Sequence, residues 1–257
     1  MRMNLMRSLA VAALLATAAC QTMGEAPVTA STENIVAAVA DAARPQADKD
    51  RDANRKPADM VAFGEVRPGD KVGELVPGGG YMTRILSKAV GPTGKIYVFA
   101  SQPVAREGQP PPAAPVAAIT ADTANYGNVQ VVISNFATIA NPEPLDLVWT
   151  SQNYHDMHNP GRNLDINAAN KAILNALKPG GLYIVLDHQS AKGTEFSADL
   201  HRIDEAKVKA EVLAAGFEFV GASTVLRNPA DDGAKTIFDP SIRGKTDQFI
   251  LKFKKPG

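Results

Sequence analysis

The sequence predicts an α/β protein: a doubly wound, mostly parallel sheet of seven strands, with an antiparallel edge strand and extra N-terminal helices. Three observations lead there. From residue 70 onward, short apolar runs alternate with stretches of helical period, the pattern of βαβ units. A glycine triplet, Gly78-Gly79-Gly80, stands where the first apolar run hands over to the first helix. The last two apolar runs have no convincing helix between them, which suggests an antiparallel hairpin at one edge.

Taken in order, "STENIVAAVADAA" offers Ser31 or Thr32 as an N-cap and sets Ile35, Val36 and Val39 on one face. Residues 48–66 are charged at first and apolar later, with Pro57 suited to a helix's first turn. Arg51, Asp52 and Arg55 read as a solvated charged face. Val72–Leu75 is a short strand. Met82, Ile85, Leu86, Ala89 and Val90 then form an amphipathic stripe that Gly91-Pro92 stops. Strands follow at 95–100, 129–134 and 145–150, with a Pro-rich loop over 103–115. "NAANKAILNALKPGG" supplies a helix and its stop, and "LYIVLDH" (182–188) a buried strand. "DEAKVKAEVLAAGF" is a further helix, and "FVGAST" and "DQFILKFK" close the sheet.

Composition fits this picture. Of 257 residues 45% are hydrophobic and 21% charged, a globular balance. Lys+Arg equals Asp+Glu at 27 each, so no basic surplus marks a nucleic-acid footprint. Arg2 and Arg7 precede an apolar run from Leu9 to Leu15 and small residues before Cys20, the layout of an export signal. "TAAC" at 17–20 resembles the lipobox of bacterial lipoproteins, which implies lipidation of Cys20. The expectation is a protein anchored on a membrane surface, facing the periplasm from the outer membrane, with a soluble periplasmic form as the alternative. Cys20 is the single cysteine, so no intrachain disulfide forms. The chain divides into a signal peptide (1–20), a tether (21–32), N-terminal helices (33–69) and the main domain (70–257).

The glycine turn lets backbone approach a ligand closely, at the strand ends where doubly wound sheets bind them. It is no nicotinamide fingerprint, because Thr83 stands where the third glycine belongs, and no P-loop, because no Gly-Lys-Ser/Thr follows. "KVGELVPGGGYMTRIL" resembles the first motif of class I S-adenosylmethionine-dependent methyltransferases. Glu74 falls on that motif's acid, Gly78 and Gly80 on two of its glycines, and Val76 where its first glycine stands. "LKPGGLYIVLDH" is similar to the lead-in to strand five in that superfamily. More narrowly, "RKPADMVAF", "NYHDMHN" and "DQFILKFKKP" resemble a group of bacterial methyltransferases that often carry export signals. The resemblance implies a Rossmann-like fold over about 70–252, methyl transfer and S-adenosylmethionine as cofactor. Its expected contacts are Glu74, Gly78, Gly79, Gly80, Tyr81, Gln102, Asn135, Phe136, Gln152 and Asn153. The acid that usually meets the ribose after strand two has no counterpart, since Ala100 or Ser101 stands there.

"TSQNYHDMHN" (150–159), after the fourth strand, concentrates proton-handling groups. His155 is the candidate base, with Tyr154 or Asp156 as its orienting partner. No metal site is assigned. Two alternatives stay open: a ligand-binding module without turnover, and a metal-dependent hydrolase using His155 and His158, with Asp187-His188 completing the site. The methyl acceptor, the oligomeric state and the role of residues 227–246 are not given by the sequence.

Overall fold

The computed structural model describes residues 32–101, 116–134 and 136–257. Cys20, the leader, Gln102 and Asn135 lie outside the described residues. Four N-terminal helices, α1 (Thr32–Ala40), α2 (Gln46–Lys49), α3 (Asp52–Arg55) and α4 (Pro57–Phe63), lead into β1 (Lys71–Leu75). After it come α5 (Tyr81–Val90), β2 (Lys95–Ala100), α6 (Ala117–Ala121), α7 (Thr123–Tyr126), β3 (Val129–Ile133) and β4 (Leu145–Ser151). The chain continues through α8 (Ile166–Ala176), β5 (Leu177–His188), β6 (Phe196–Ser197), β7 (Arg202–Ile203), α9 (Glu205–Ala214), β8 (Glu218–Ser223) and β9 (Gln248–Lys254).

Seven of these strands form one sheet in the order β3-β2-β1-β4-β5-β9-β8. β1 to β5 run parallel, and β9 inserts antiparallel between β5 and the edge strand β8. Both faces are covered because the inner strands are apolar on both sides. Val72, Leu147, Trp149, Ile184 and Ile250 pack with α1, α4 and α5, while Tyr97, Val148, Tyr183, Val185 and Leu251 pack with α8 and α9. All five residues of the predicted α5 stripe are buried. Asp165 caps α8 by accepting from the Ala168 amide, and Asp204 caps α9 by accepting from those of Ala206 and Lys207.

Besides α6, α7 and the β6–β7 pair, which the sequence did not announce, two local readings differ from the structure. β5 begins at Leu177, not 182, because "LKPGG" joins the strand through a register shift opposite Leu145–Leu147. The charged run at 48–55 is not simply a solvated face. Asp52 receives both Nη atoms of Arg44, at 2.8 and 2.6 Å, together with the Tyr81 hydroxyl at 2.6 Å. The guanidinium of Arg55 lies 4.4 Å from the centre of the Tyr81 ring. These pairs, with Asp48 of α2 on Arg84 of α5 at 2.9 Å, strap α2 and α3 across the start of α5, beside the glycine turn.

Candidate active site

The strand order reverses between the parallel neighbours β1 and β4, and the site forms where their carboxyl ends open. At the end of β1 the chain turns through left-handed conformations at Val76 (φ 50°), Gly78 (φ 56°) and Gly80 (φ 80°). Among the described residues the side-chain space at Gly78 and Gly79 is open, with nothing within 4 Å of an added Cβ. At Gly80 that space is taken: an added Cβ would stand 2.2 Å from Ile119 Cδ1 and 3.0 Å from Val116 Cγ1. Gly80 therefore makes room for α6, while Gly78 and Gly79 leave a berth.

Glu74 lies buried beneath the turn and receives the Thr83 hydroxyl at 2.5 Å. Burial pushes its carboxyl up to about 7, against the opposing pull of that hydrogen bond and of Arg55. Arg55 reaches Ser151 Oγ at 3.3 Å, and burial lowers its pKa from the usual guanidinium value.

Several expected cofactor contacts are instead spent on the protein itself. Asn153 donates to the carbonyls of Leu75, Val76 and Ser151 at 3.0, 3.2 and 3.0 Å and accepts from Thr150, which ties the turn to β4. Gln152, held at φ 60°, donates to Gln248 at 2.8 Å. The Tyr81 hydroxyl is committed to Asp52. Phe136 does line a cleft with Leu75, Phe99, Ala100, Ser101, Ser134 and Ile139, but a narrow one of about 10 Å³, about the space of one water.

The second half of the site gathers all four histidines of the chain around the ends of β4 and β5. His155 is buried, and Asp187 grips it twice: one carboxylate oxygen accepts from its backbone N–H at 2.7 Å and the other meets Nδ1 at 2.8 Å. Asp187, fully buried, also accepts from the His188 amide at 2.7 Å. On the other side His155 Nε2 stands 3.3 Å from Nδ1 of His201, which sits between β6 and β7 at φ 56°. Burial opposes a charge on His155, yet Asp187 beside it raises its pKa above the usual histidine value. His188, bonded through Nδ1 to the Thr246 hydroxyl at 2.7 Å, is held by burial down to about 4.

The orienting partner of His155 is thus Asp187, not Tyr154. The Tyr154 side chain is buried away from the imidazole, donating to Glu211 at 3.1 Å and accepting from Asn170 at 2.8 Å. Asp156 does approach, with Oδ1 at 3.6 Å from His155 Nε2. His158 leaves the cluster for Glu211 at 3.0 Å, so the His155–His158 pair does not form a joint site. His201 was not singled out by the sequence, because nothing local distinguishes it. Residues 227–246, whose role was open, cover this corner. Phe238 packs edge-on to His201 at 4.9 Å, and Arg202 pins the segment by a fully buried pair with Asp231 at 2.9 Å.

No family model matches the sequence, and no curated protein matches it. Solved structures do resemble the fold. An S-adenosylmethionine-dependent methyltransferase from Aquifex aeolicus matches at TM-score 0.56 and 17% identity, over 82% of this chain and 98% of that one. The [4+2]-cyclase SpnF matches at TM-score 0.56 and 20% identity, over 82% and 81%. The N-methyltransferase NodS from Bradyrhizobium japonicum matches at TM-score 0.54 and 11% identity, over 79% and 96%. The architecture is the Rossmann-like one of class I methyltransferase structures, and at these identities the likeness is one of fold.

Proposed function

We infer that the chain binds S-adenosylmethionine on the Gly78–Gly79 turn and transfers its methyl group to an acceptor held at the histidine cluster. The observation that carries this reading is the open side-chain space at Gly78 and Gly79, at the carboxyl end of β1, with the Asp187–His155–His201 chain at the ends of the next two strands, β4 and β5. The residues fit the cofactor in part. The left-handed turn exposes backbone to a ligand, and Leu75, Phe99 and Phe136 line an apolar cleft that must widen to take a flat ring. The ribose meets no carboxylate at the end of β2, where one fewer hydrogen bond costs about 1–3 kcal/mol of affinity. When bound, the cofactor supplies an electrophilic methyl group. The protein's part is to align the acceptor and take up the proton it loses, for which Asp187 fixes the imidazole of His155.

Calorimetric titration of the full chain with S-adenosylmethionine and S-adenosylhomocysteine tests this. Saturable binding of both is expected, lost in Gly79→Asp while the melting temperature holds. Failure of the wild-type protein to bind either would end the reading. A second reading, a ligand-binding module without turnover, is favoured by one observation. The cleft beside Phe136 holds about 10 Å³, far below the roughly 300–1,000 Å³ usual for ligand pockets, so the adenine end of a cofactor does not enter it as it stands. Binding without methyl transfer to any envelope extract would select it.

Export and lipidation at Cys20 complete the proposal, with an envelope component or small molecule as acceptor. Radiolabelled palmitate is expected to enter the wild-type chain and not Cys20→Ser. Equal labelling of the two would remove the anchor.

A further inference from the structure

We propose that His155, Asp156 and His201 form a divalent transition-metal site with an open coordination position, best matched to Zn²⁺. The argument starts from three distances. His155 Nε2 and His201 Nδ1 stand 3.3 Å apart, and Asp156 Oδ1 lies 3.6 Å from the first and 3.9 Å from the second. The circle through these three atoms has a radius of about 2.1 Å, within about 0.1 Å of the roughly 2.0 Å spanned by three ligands of a tetrahedral Zn²⁺ with bonds of about 2.1 Å, so a small inward movement of the partly exposed His201 or Asp156 completes the geometry. Edges of this length match a tetrahedral ion, whose ligands sit about 3.4 Å apart, better than an octahedral one, whose neighbouring ligands sit about 2.9 Å apart.

The surroundings support the same assignment. Asp187 engages Nδ1 of His155 at 2.8 Å and is fully buried, a contact that in the neutral ring keeps the proton on Nδ1 and leaves the Nε2 lone pair for an ion. A carboxylate behind a histidine is the usual outer support of a metal ligand. Without an ion, two ring nitrogens face each other across 3.3 Å, and His201 is held there in a left-handed conformation rare for a non-glycine residue. Phe238 packs against the His201 ring and limits its swing. The site is also accessible. The side chains of His201 and Asp156 are 34% and 25% exposed, against 2% for His155, so the free position faces outward rather than into the core.

Three protein ligands and one vacant direction describe a reactive rather than a structural site, in which the ion binds a water or an oxygen-bearing ligand and lowers its pKa. The ion site stands on this geometry alone. Its use to hold the hydroxyl of a methyl acceptor rests on the methyl-transfer reading; with Nδ1 on Asp187 and Nε2 on the ion, His155 has no nitrogen left to act as base, so in that state the ion lowers the hydroxyl's pKa and its proton leaves to solvent.

The test is a Zn²⁺ titration of the chelator-treated full chain, followed by Co²⁺ substitution, both without S-adenosylmethionine. One equivalent of Zn²⁺ is expected, with affinity reduced at least tenfold in His201→Ala and in Asp156→Asn, and unchanged in His158→Gln. Asp187→Asn is expected to weaken binding about 10–100-fold by releasing the His155 ring. Because His201 and Asp156 are partly exposed, circular dichroism should show both ligand variants folded. The Co²⁺ form should give the intense visible bands of a tetrahedral ion. Substoichiometric Zn²⁺, binding indifferent to His201→Ala and Asp156→Asn, or a weak octahedral Co²⁺ spectrum would overturn the site. Since no cofactor is present, failure here is distinct from failure of the methyl-transfer reading.

Discussion

Gly79 and Gly80 are neighbours that lack a side chain for different reasons. Gly79 borders open space, and a methyl group there meets none of the described residues within 4 Å. Gly80 has φ 80° and Ile119 and Val116 packed into its side-chain position. Gly79→Ala is therefore expected to hold stability within about 1 kcal/mol, while Gly80→Ala costs about 1–3 kcal/mol through strain and overpacking. Urea midpoints of the two variants check this, and equal midpoints would contradict the packing. The triplet was legible as a turn, since glycine after an apolar run is a local signal. Which glycine faces the ligand was not, because the answer depends on α6, some 40 residues later in the chain, in about the way any tertiary contact does. The same holds for His155. Its surroundings announced proton chemistry, but the partner that orients it, Asp187, is 32 residues away and the ring facing it, His201, is 46 away.

At the scale of elements, the segment between β8 and β9 is held by a side chain from a different motif. Arg202 on β7 donates to the carbonyls of Gln189 and Lys235 and to both oxygens of Asp231, all at 3.1 Å or less. Both side chains of the pair are buried, at 0% and 2% exposure. Asp231→Asn leaves that guanidinium without its counter-charge and is expected to cost about 3–5 kcal/mol. Hydrogen exchange should then quicken first over residues 229–246. A uniform acceleration across the sheet would show that the pair supports the whole fold rather than this segment. Sequence periodicity located the strands and long helices well, because burial on one or both faces imposes a repeat. It misjudged the run at 48–55, because charged residues look solvated until the structure supplies Arg44 and Tyr81 to receive Asp52.

Over the whole molecule, two buried groups on either side of the site set opposing dependences on pH. Glu74 titrates at about 7 when folded, above the ordinary 4.5. The folded chain keeps a proton that the unfolded chain releases, so its contribution is full below about 4.5 and gone above about 7. His188 titrates at about 4 when folded, below the ordinary 6.5. The unfolded chain takes up a proton the folded chain refuses, so its contribution is full above about 6.5 and lost as the pH falls to about 4. Each shift corresponds to on the order of 3 kcal/mol. Relative to wild type, Glu74→Gln should gain stability as pH rises from 4.5 to 7, and His188→Gln should gain it as pH falls from 6.5 to 4. Chemical denaturation across pH 4–8 measures both differences, and pH-independent offsets would show the two groups to be unperturbed.

The sequence by itself determined the order of the main-sheet strands and of the longer helices, though not α6, α7 or the β6–β7 pair, together with the glycine turn and the concentration of proton-handling groups after β4. Each is written in spacing along the chain, through the period of two or 3.6 that burial demands. Only the tertiary structure decided that Asp187 backs His155, that His201 and Asp156 complete its outer face, and that Asn153 and Tyr81 serve the scaffold. Those choices arise where strand ends from distant segments converge, and the distances between side chains there follow from sheet order and register rather than from position in sequence.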